Sequence, residues 1–147
     1  MDLMQNKKAR LNYEFIEEYE AGIELFGHEV KALRAHHGKL DGAHIIVRGN
    51  EAYVVGMEVP PYQPKNTPKD YEPARTRKLL LTKREIALLS AYEGQKGLTI
   101  VPISLYSKGG KLKLRLAAAR GKKKYDKRAA LKARDSKREI ERTLKNQ

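Results

Sequence analysis

The chain has 147 residues, 31 Lys and Arg against 18 Asp and Glu, and a formal net charge of +13, a balance that points to a polyanion, nucleic acid ahead of an anionic membrane surface. With no cysteine it can make no disulfide, no thiolate zinc site and no thiol nucleophile. No run approaches the roughly 18 apolar residues of a membrane span, nor the apolar stretch of a signal peptide near Met1, so the expectation is one soluble, cytoplasmic domain with an appendage.

In chain order, NKKAR (6–10) reads either as a frayed basic terminus or as a contact segment, and the residues leave both open. From Phe15 to Leu25 the apolar residues Phe15, Tyr19, Ala21, Ile23 and Leu25 alternate with Glu14, Glu18, Glu20 and Glu24, the pattern of a half-buried strand. GHEVKALRAH predicts a short helix with Val30 and Leu33 on one face. AHIIV (43–47) and AYVVGMEV (52–59) predict two strands around an RGNE turn. Five of the six prolines fall between Pro60 and Pro73, which excludes a central strand and predicts a long surface loop over 60–77. ARTRKLLLTKRE (74–85) reads equally as a basic contact segment or as a basic lead-in to a helix whose leucines are core. In TKREIALLSAYEG, Thr82 and Glu85 form a capping box and Gly94 a stop. LTIVPISLY (98–106) and the alternating Leu112, Leu114 and Leu116 predict a hairpin across the Gly109-Gly110 turn.

About five strands and two helices predict a mainly β fold, an OB-type closed antiparallel barrel, whose strand order the periodicity does not give. The boundary is expected near Ala119, dividing residues 1–119 from a tail over 120–147. That tail holds 12 basic and 4 acidic residues, net +8, with Tyr125, Leu131, Ile140 and Leu144 as its large apolar residues. Only Ile140 and Leu144 make a close i,i+4 pair, too narrow a stripe to anchor a core. The tail is therefore expected to be mobile alone and to become helical on a partner.

Catalytic and metal readings find little support. His36 and His37 are adjacent and on a helix would diverge by about 100°, while His28 and His44 lack partners at ligand spacing. No phosphate-binding glycine loop and no Ser-His-Asp order appear, so neither an enzyme nor a metal or other cofactor is expected. The glutamates of the first strand read as a solvated face, with the alternative of an acceptor for a base edge. Tyr53, Tyr62, Tyr71 and Tyr106 are candidates for base stacking, though most of them read as half-buried strand or loop residues.

Several blocks together resemble one family, the small protein B (SmpB) partners of transfer-messenger RNA: NKKARLNYEFIEEYEAGIEL, GHEVKALR, ARTRKLLLTKREI, KGLTIVPISLY and ARGKKKYDKR. The resemblance runs from about Asn6 to Lys145. It implies an OB barrel that binds the tRNA-like domain of that RNA, with a basic tail acting at the ribosomal decoding centre. By position, Asn6, Lys7, Tyr13, Glu20, Leu80, Ala119 and Gly121 match residues linked to RNA binding. Lys122, Lys123, Tyr125, Asp126, Lys127 and Arg128, with Ile140 and Leu144, match the ribosome-directed tail. Implied partners are transfer-messenger RNA and small-subunit rRNA, with alanyl-tRNA synthetase and elongation factor Tu through the shared RNA; the protein itself is implied to be a monomer with no membrane partner. Lys124 departs from the pattern, standing where relatives usually carry a neutral residue.

The resemblance also gives the aspartate inside GKKKYDKR a purpose. Lysines alone would hold any rRNA backbone, and Asp126 weakens that attraction. A ring at Tyr125 and a lone acceptor at Asp126 instead add positional information. A helix of 28 residues would span about 40 Å, long enough to run from a decoding centre into an empty mRNA channel. The other readings are a structural ribosomal protein or general RNA chaperone, and an RNA-processing enzyme using Glu18, Glu20 or Asp126.

Overall fold

The protein was analysed as a computed structural model, which describes residues 2–122. In chain order the elements are β1 (Asp2–Gln5), α1 (Lys7–Asn12), β2 (Tyr13–Ile23), α2 (Gly27–Arg34), β3 (His44–Arg48), β4 (Glu51–Val55), β5 (Arg77–Leu80), α3 (Lys83–Glu93), β6 (Leu98–Lys108) and β7 (Lys111–Gly121). The strands form a single antiparallel sheet in the order β1-β6-β7-β2-β5-β4-β3.

Mainly antiparallel sheet with few helices is thus the observed class, but the ladder differs from the expected closed barrel. Among the described residues it ends at β1 and β3, which share no pairing. The sheet curls enough for β3 to lie against β6, and α3 packs on both. From the end of α3, Glu93 Oε2 accepts from Val47 N–H of β3 (2.8 Å) and Glu93 Oε1 from Arg48 (2.6 Å). A carboxylate therefore occupies an edge amide that a closing strand would use.

Two strands and a helix went unpredicted. NKKAR is no frayed end: Asn6 caps α1, its Oδ1 accepting from Ala9 N–H at 3.2 Å. RKLL is strand β5 rather than a helix lead-in. Leu79 is buried there and Leu80 is 51% exposed, so the two point to opposite faces. The predicted loop accordingly ends before Arg77.

The faces of β2 also differ from simple alternation. A bulge between Phe15 and Glu17 inserts one residue against β7 and exchanges the faces. Beyond it, Tyr19 and Ile23 pack with buried Ala21 on the main core, which also gathers Leu33, Ile45, Val54, Leu79, Leu89, Ile100, Leu105, Leu114 and Leu116. Before it, Tyr13 and Phe15 turn to a second, smaller cluster of Ala9, Val101 and Ala119. The run Ala117–Ala119 is buried because this end of the sheet is covered on both faces. Its small side chains let the short helix α1 settle close to the strands. β6 carries its own irregularity between Pro102 and Ser104, where the proline has no N–H to give. There Asn6 Nδ2 donates to Pro102 O (2.9 Å) and Asn6 N–H to Ile103 O (2.8 Å), fastening α1 to the sheet.

The 60–76 loop is pinned by one buried ion-pair network. Glu29 and Arg77 are both fully buried. Arg77 Nε and Nη2 donate to Glu29 Oε2 at 3.0 and 2.5 Å, and its remaining N–H groups reach Met57 O (2.7 Å), Arg75 O (2.9 Å) and Pro73 O (3.0 Å). Arg75 grips the same carboxylate, and the Tyr71 hydroxyl, with one proton to give, lies 2.9 Å from Glu29 Oε2 and 2.8 Å from Val59 O. Burial pushes the Glu29 carboxyl up, but Arg75, the Phe26 N–H and Arg77 outweigh it and hold the group down at about 2.

Candidate RNA interface

One concentration of cations and rings among the described residues lies where β2 begins and β7 ends. Tyr13 faces Gly121 across the ladder and Phe15 faces Ala119, both rings half-buried. Around them stand Lys7, Lys8 and Arg10 on α1, then Arg120 and Lys122 at the end of β7. The Arg10 guanidinium sits 6.0 Å over the Phe15 ring. Lys122 N–H donates to Asn12 O (2.8 Å) and its ammonium to Arg10 O (3.4 Å), so the last described residue is held on α1. The ladder thus carries order past Ala119 to the first lysine of GKKKYDKR. Ammonium and guanidinium groups beside ring faces are what a phosphate backbone with unstacked bases requires.

Of the residues singled out from the sequence, Asn6, Lys7, Tyr13, Ala119, Gly121 and Lys122 come together here. They play different parts. Asn6 is 3% exposed and Ala119 fully buried, so they shape the surface, while Lys7 and Lys122 supply charge. Glu20 and Leu80 lie towards the other end of β2, about 25 Å along the strand. There Glu20 accepts from the Tyr106 hydroxyl and from Lys108 Nζ (3.3 Å). The Tyr106 hydrogen bond, then Lys108, hold its carboxyl below the usual range. Arg115 covers the Tyr106 ring at 5.4 Å. Glu20 is therefore an ionised acceptor that arranges a ring and two cations on the outer face. Leu80 projects beside it, its side chain against Gly22. Lys123, Tyr125, Asp126, Lys127, Arg128, Ile140 and Leu144 lie outside the described residues, as does Lys124.

The other candidates separate in the same way. Tyr71 and Tyr106 spend their hydroxyls on Glu29 and Glu20, Tyr53 is half-buried on β4, and Tyr62 is exposed in the loop. Among the described residues no three His, Asp or Glu side chains converge as a metal site would need. No helix there is long and apolar enough to cross a membrane. Sequence reasoning missed the Glu29, Arg75 and Arg77 cluster, whose only local sign is a glutamate at the third position of a short helix.

The SmpB protein family model matches residues 3–146 of the chain. The chain belongs to the SmpB family. Curated relatives agree across almost the full length of both partners. The SsrA-binding protein of Mycoplasmoides gallisepticum is 46% identical over 138 residues, 94% of this chain and 96% of its own. That of Clostridium tetani is 46% identical over 144 residues, 98% and 92% of the two chains. That of Oleidesulfovibrio alaskensis is 47% identical over 142 residues, 97% and 91%. Among solved structures, a chain from work described as "tmRNA-SmpB: a journey to the center of the bacterial ribosome" superposes with a TM-score of 0.66 at 41% identity. It covers 87% of this chain and 93% of its own. The SmpB family assignment thus spans the cationic end of the sheet and the basic segment that follows it.

Proposed function

We propose that the chain is a non-catalytic RNA-binding adaptor. It binds the tRNA-like domain of transfer-messenger RNA and delivers it to stalled ribosomes in the cytoplasm. The 120–147 segment then occupies the decoding centre and the empty mRNA channel, allowing trans-translation, in which the ribosome is rescued and the incomplete peptide tagged. The observation that carries this reading is the cationic collar around Tyr13 and Phe15 at the root of the basic segment, in a chain whose relatives are SsrA-binding proteins. The curled sheet acts as an OB-type barrel in this scheme, presenting the collar to the RNA backbone. Glu20 and Leu80 form a second contact further along β2. Because the RNA offers no anticodon, Tyr125, Asp126, Lys127 and Arg128 stand in for codon pairing by geometry as well as charge.

The test separates RNA capture from ribosome action. The wild-type protein should copurify with transfer-messenger RNA; bulk rRNA alone would favour a ribosomal protein or chaperone, and cleaved products an enzyme. Replacing Asp126, Lys127 and Arg128 together by alanine should leave affinity for the RNA near wild type and abolish peptide transfer to alanyl-transfer-messenger RNA on stalled ribosomes. Normal tagging by that variant would reduce the motif to one more basic run.

A further inference from the structure

The 60–76 loop and the start of α2 enclose a cleft of about 540 Å³ that the collar does not use. Its walls are mostly flat and apolar: the Phe26 ring, the His28 ring, Pro68 and Tyr71. Phe26 is 52% exposed, so its ring is open to a ligand entering the cleft. One face of its ring carries the Arg75 guanidinium at 4.1 Å, and Arg75 is itself immobilised by Glu29. His28 stands edge-on to Tyr71 at 4.6 Å and tilted to Phe26 at 5.8 Å. The rings are thus held in place, and about half of Phe26 stays exposed to meet a planar ligand. Two acidic residues, Asp70 and Glu72, line the cleft as well. Glu72 reaches Ala74 N–H at 3.5 Å, and Asp70 makes no hydrogen bond or ion pair among the described residues.

We propose that this cleft is a base pocket selective for an unpaired guanine of the bound RNA, an inference that rests on the RNA-binding reading above. The local charges cancel: Glu29, Asp70 and Glu72 against Lys69, Arg75 and Arg77. A neutral planar base therefore meets no net formal charge there, whereas a peptide cation would meet Arg75 already on the ring. A carboxylate offers two acceptors side by side and no donor. Guanine alone among the four bases presents two adjacent donors, N1–H and the exocyclic amine, on its Watson–Crick edge. Adenine and cytosine pair one amine with a ring nitrogen acceptor, and uracil flanks its one donor with carbonyls. Asp70 accordingly takes the guanine edge while Phe26 takes its face. The remaining binding energy comes from Lys69, next in sequence and able to meet the attached phosphate.

The experiment titrates the isotope-labelled full-length protein with 5′-GMP, 5′-AMP, 5′-CMP and 5′-UMP, reading backbone amide shifts. GMP should saturably move the amides of Phe26, His28, Tyr71 and Glu72 at several-fold lower concentration than the other three. Phe26→Ala should weaken GMP about tenfold, the loss of one stacked base, and Phe26→Trp should restore it. The fold is expected to survive, since the residue holds Glu29 through its backbone N–H. Asp70→Asn should erase the preference for GMP over AMP without abolishing stacking. Equal response to all four nucleotides, or a GMP response indifferent to Phe26→Ala, overturns the pocket. Transfer-messenger RNA binding by the same sample separates the two ideas. RNA binding without a GMP response sinks the pocket alone, and selective GMP binding without RNA binding supports the pocket while removing its proposed occupant.

Discussion

Replacing Glu29 by glutamine tests whether the loop network governs stability. The side chain keeps its shape but loses its charge, leaving Arg77 fully buried with no counter-ion and Arg75 with a weaker acceptor. Removing one partner of a buried pair costs about 3–5 kcal/mol, here a fall in Tm of about 10–20 °C. The protonation equilibrium of the same carboxyl gives a second magnitude. A folded-state value of about 2 against the ordinary 4.5 corresponds to about 3 kcal/mol. Because folding lowers the pKa, that stability is complete above 4.5 and disappears as pH falls from 4.5 through about 2. Urea and thermal unfolding at pH 7, 5 and 3 should therefore show the wild type losing stability between pH 5 and 3, and Glu29→Gln starting lower with a shallower decline. A loss below about 1 kcal/mol at pH 7, or an unchanged acid slope, would refute the reasoning.

Three further outcomes are expected. A chain ending at Lys122 should melt cooperatively within a few degrees of the full-length protein, because the ladders and both clusters of the described residues form without the segment beyond it; loss of the transition would mean the basic segment packs on the sheet. RNA affinity should fall on the order of a thousandfold between about 50 and 200 mM salt if roughly six phosphates are neutralised, and a flat response in filter binding would exclude the cationic collar as the contact surface. Glu20→Ala should weaken RNA binding although it deletes a negative charge, since Tyr106 and Lys108 lose their common anchor. Tighter binding by that variant would return Glu20 to a solvated face.

What could be read from the sequence follows the range of the interaction. The hairpin across Gly109-Gly110 was legible because both glycines adopt positive φ, a demand that writes itself locally. Thr82 and Glu85 likewise cap α3 through contacts three residues apart. The bulge in β2 was invisible, since Phe15 and Tyr19 keep even spacing while sitting on opposite faces. Strand β5 was hidden because its four residues alternate against partners on β2 and β4 that no local pattern names. Glu29 and Arg77 are 48 residues apart, and in sequence each reads as an ordinary surface charge. At the candidate site, Lys7, Tyr13 and Gly121 came from the family resemblance. Their assembly into one collar depends on α1, a helix of six residues that propensity alone would not stabilise.

The position of β7 has a mechanical consequence. The strand leading into the basic segment is paired along its length by β6 on one side and, over Lys113–Gly121, by β2 on the other. A pull on the segment along the strand axis would load both ladders in shear, many hydrogen bonds at once, instead of peeling them singly as it would from an edge. The body could then act as a stiff anchor, so that displacement at one end of the basic segment is transmitted to the bound RNA and not absorbed by local unravelling.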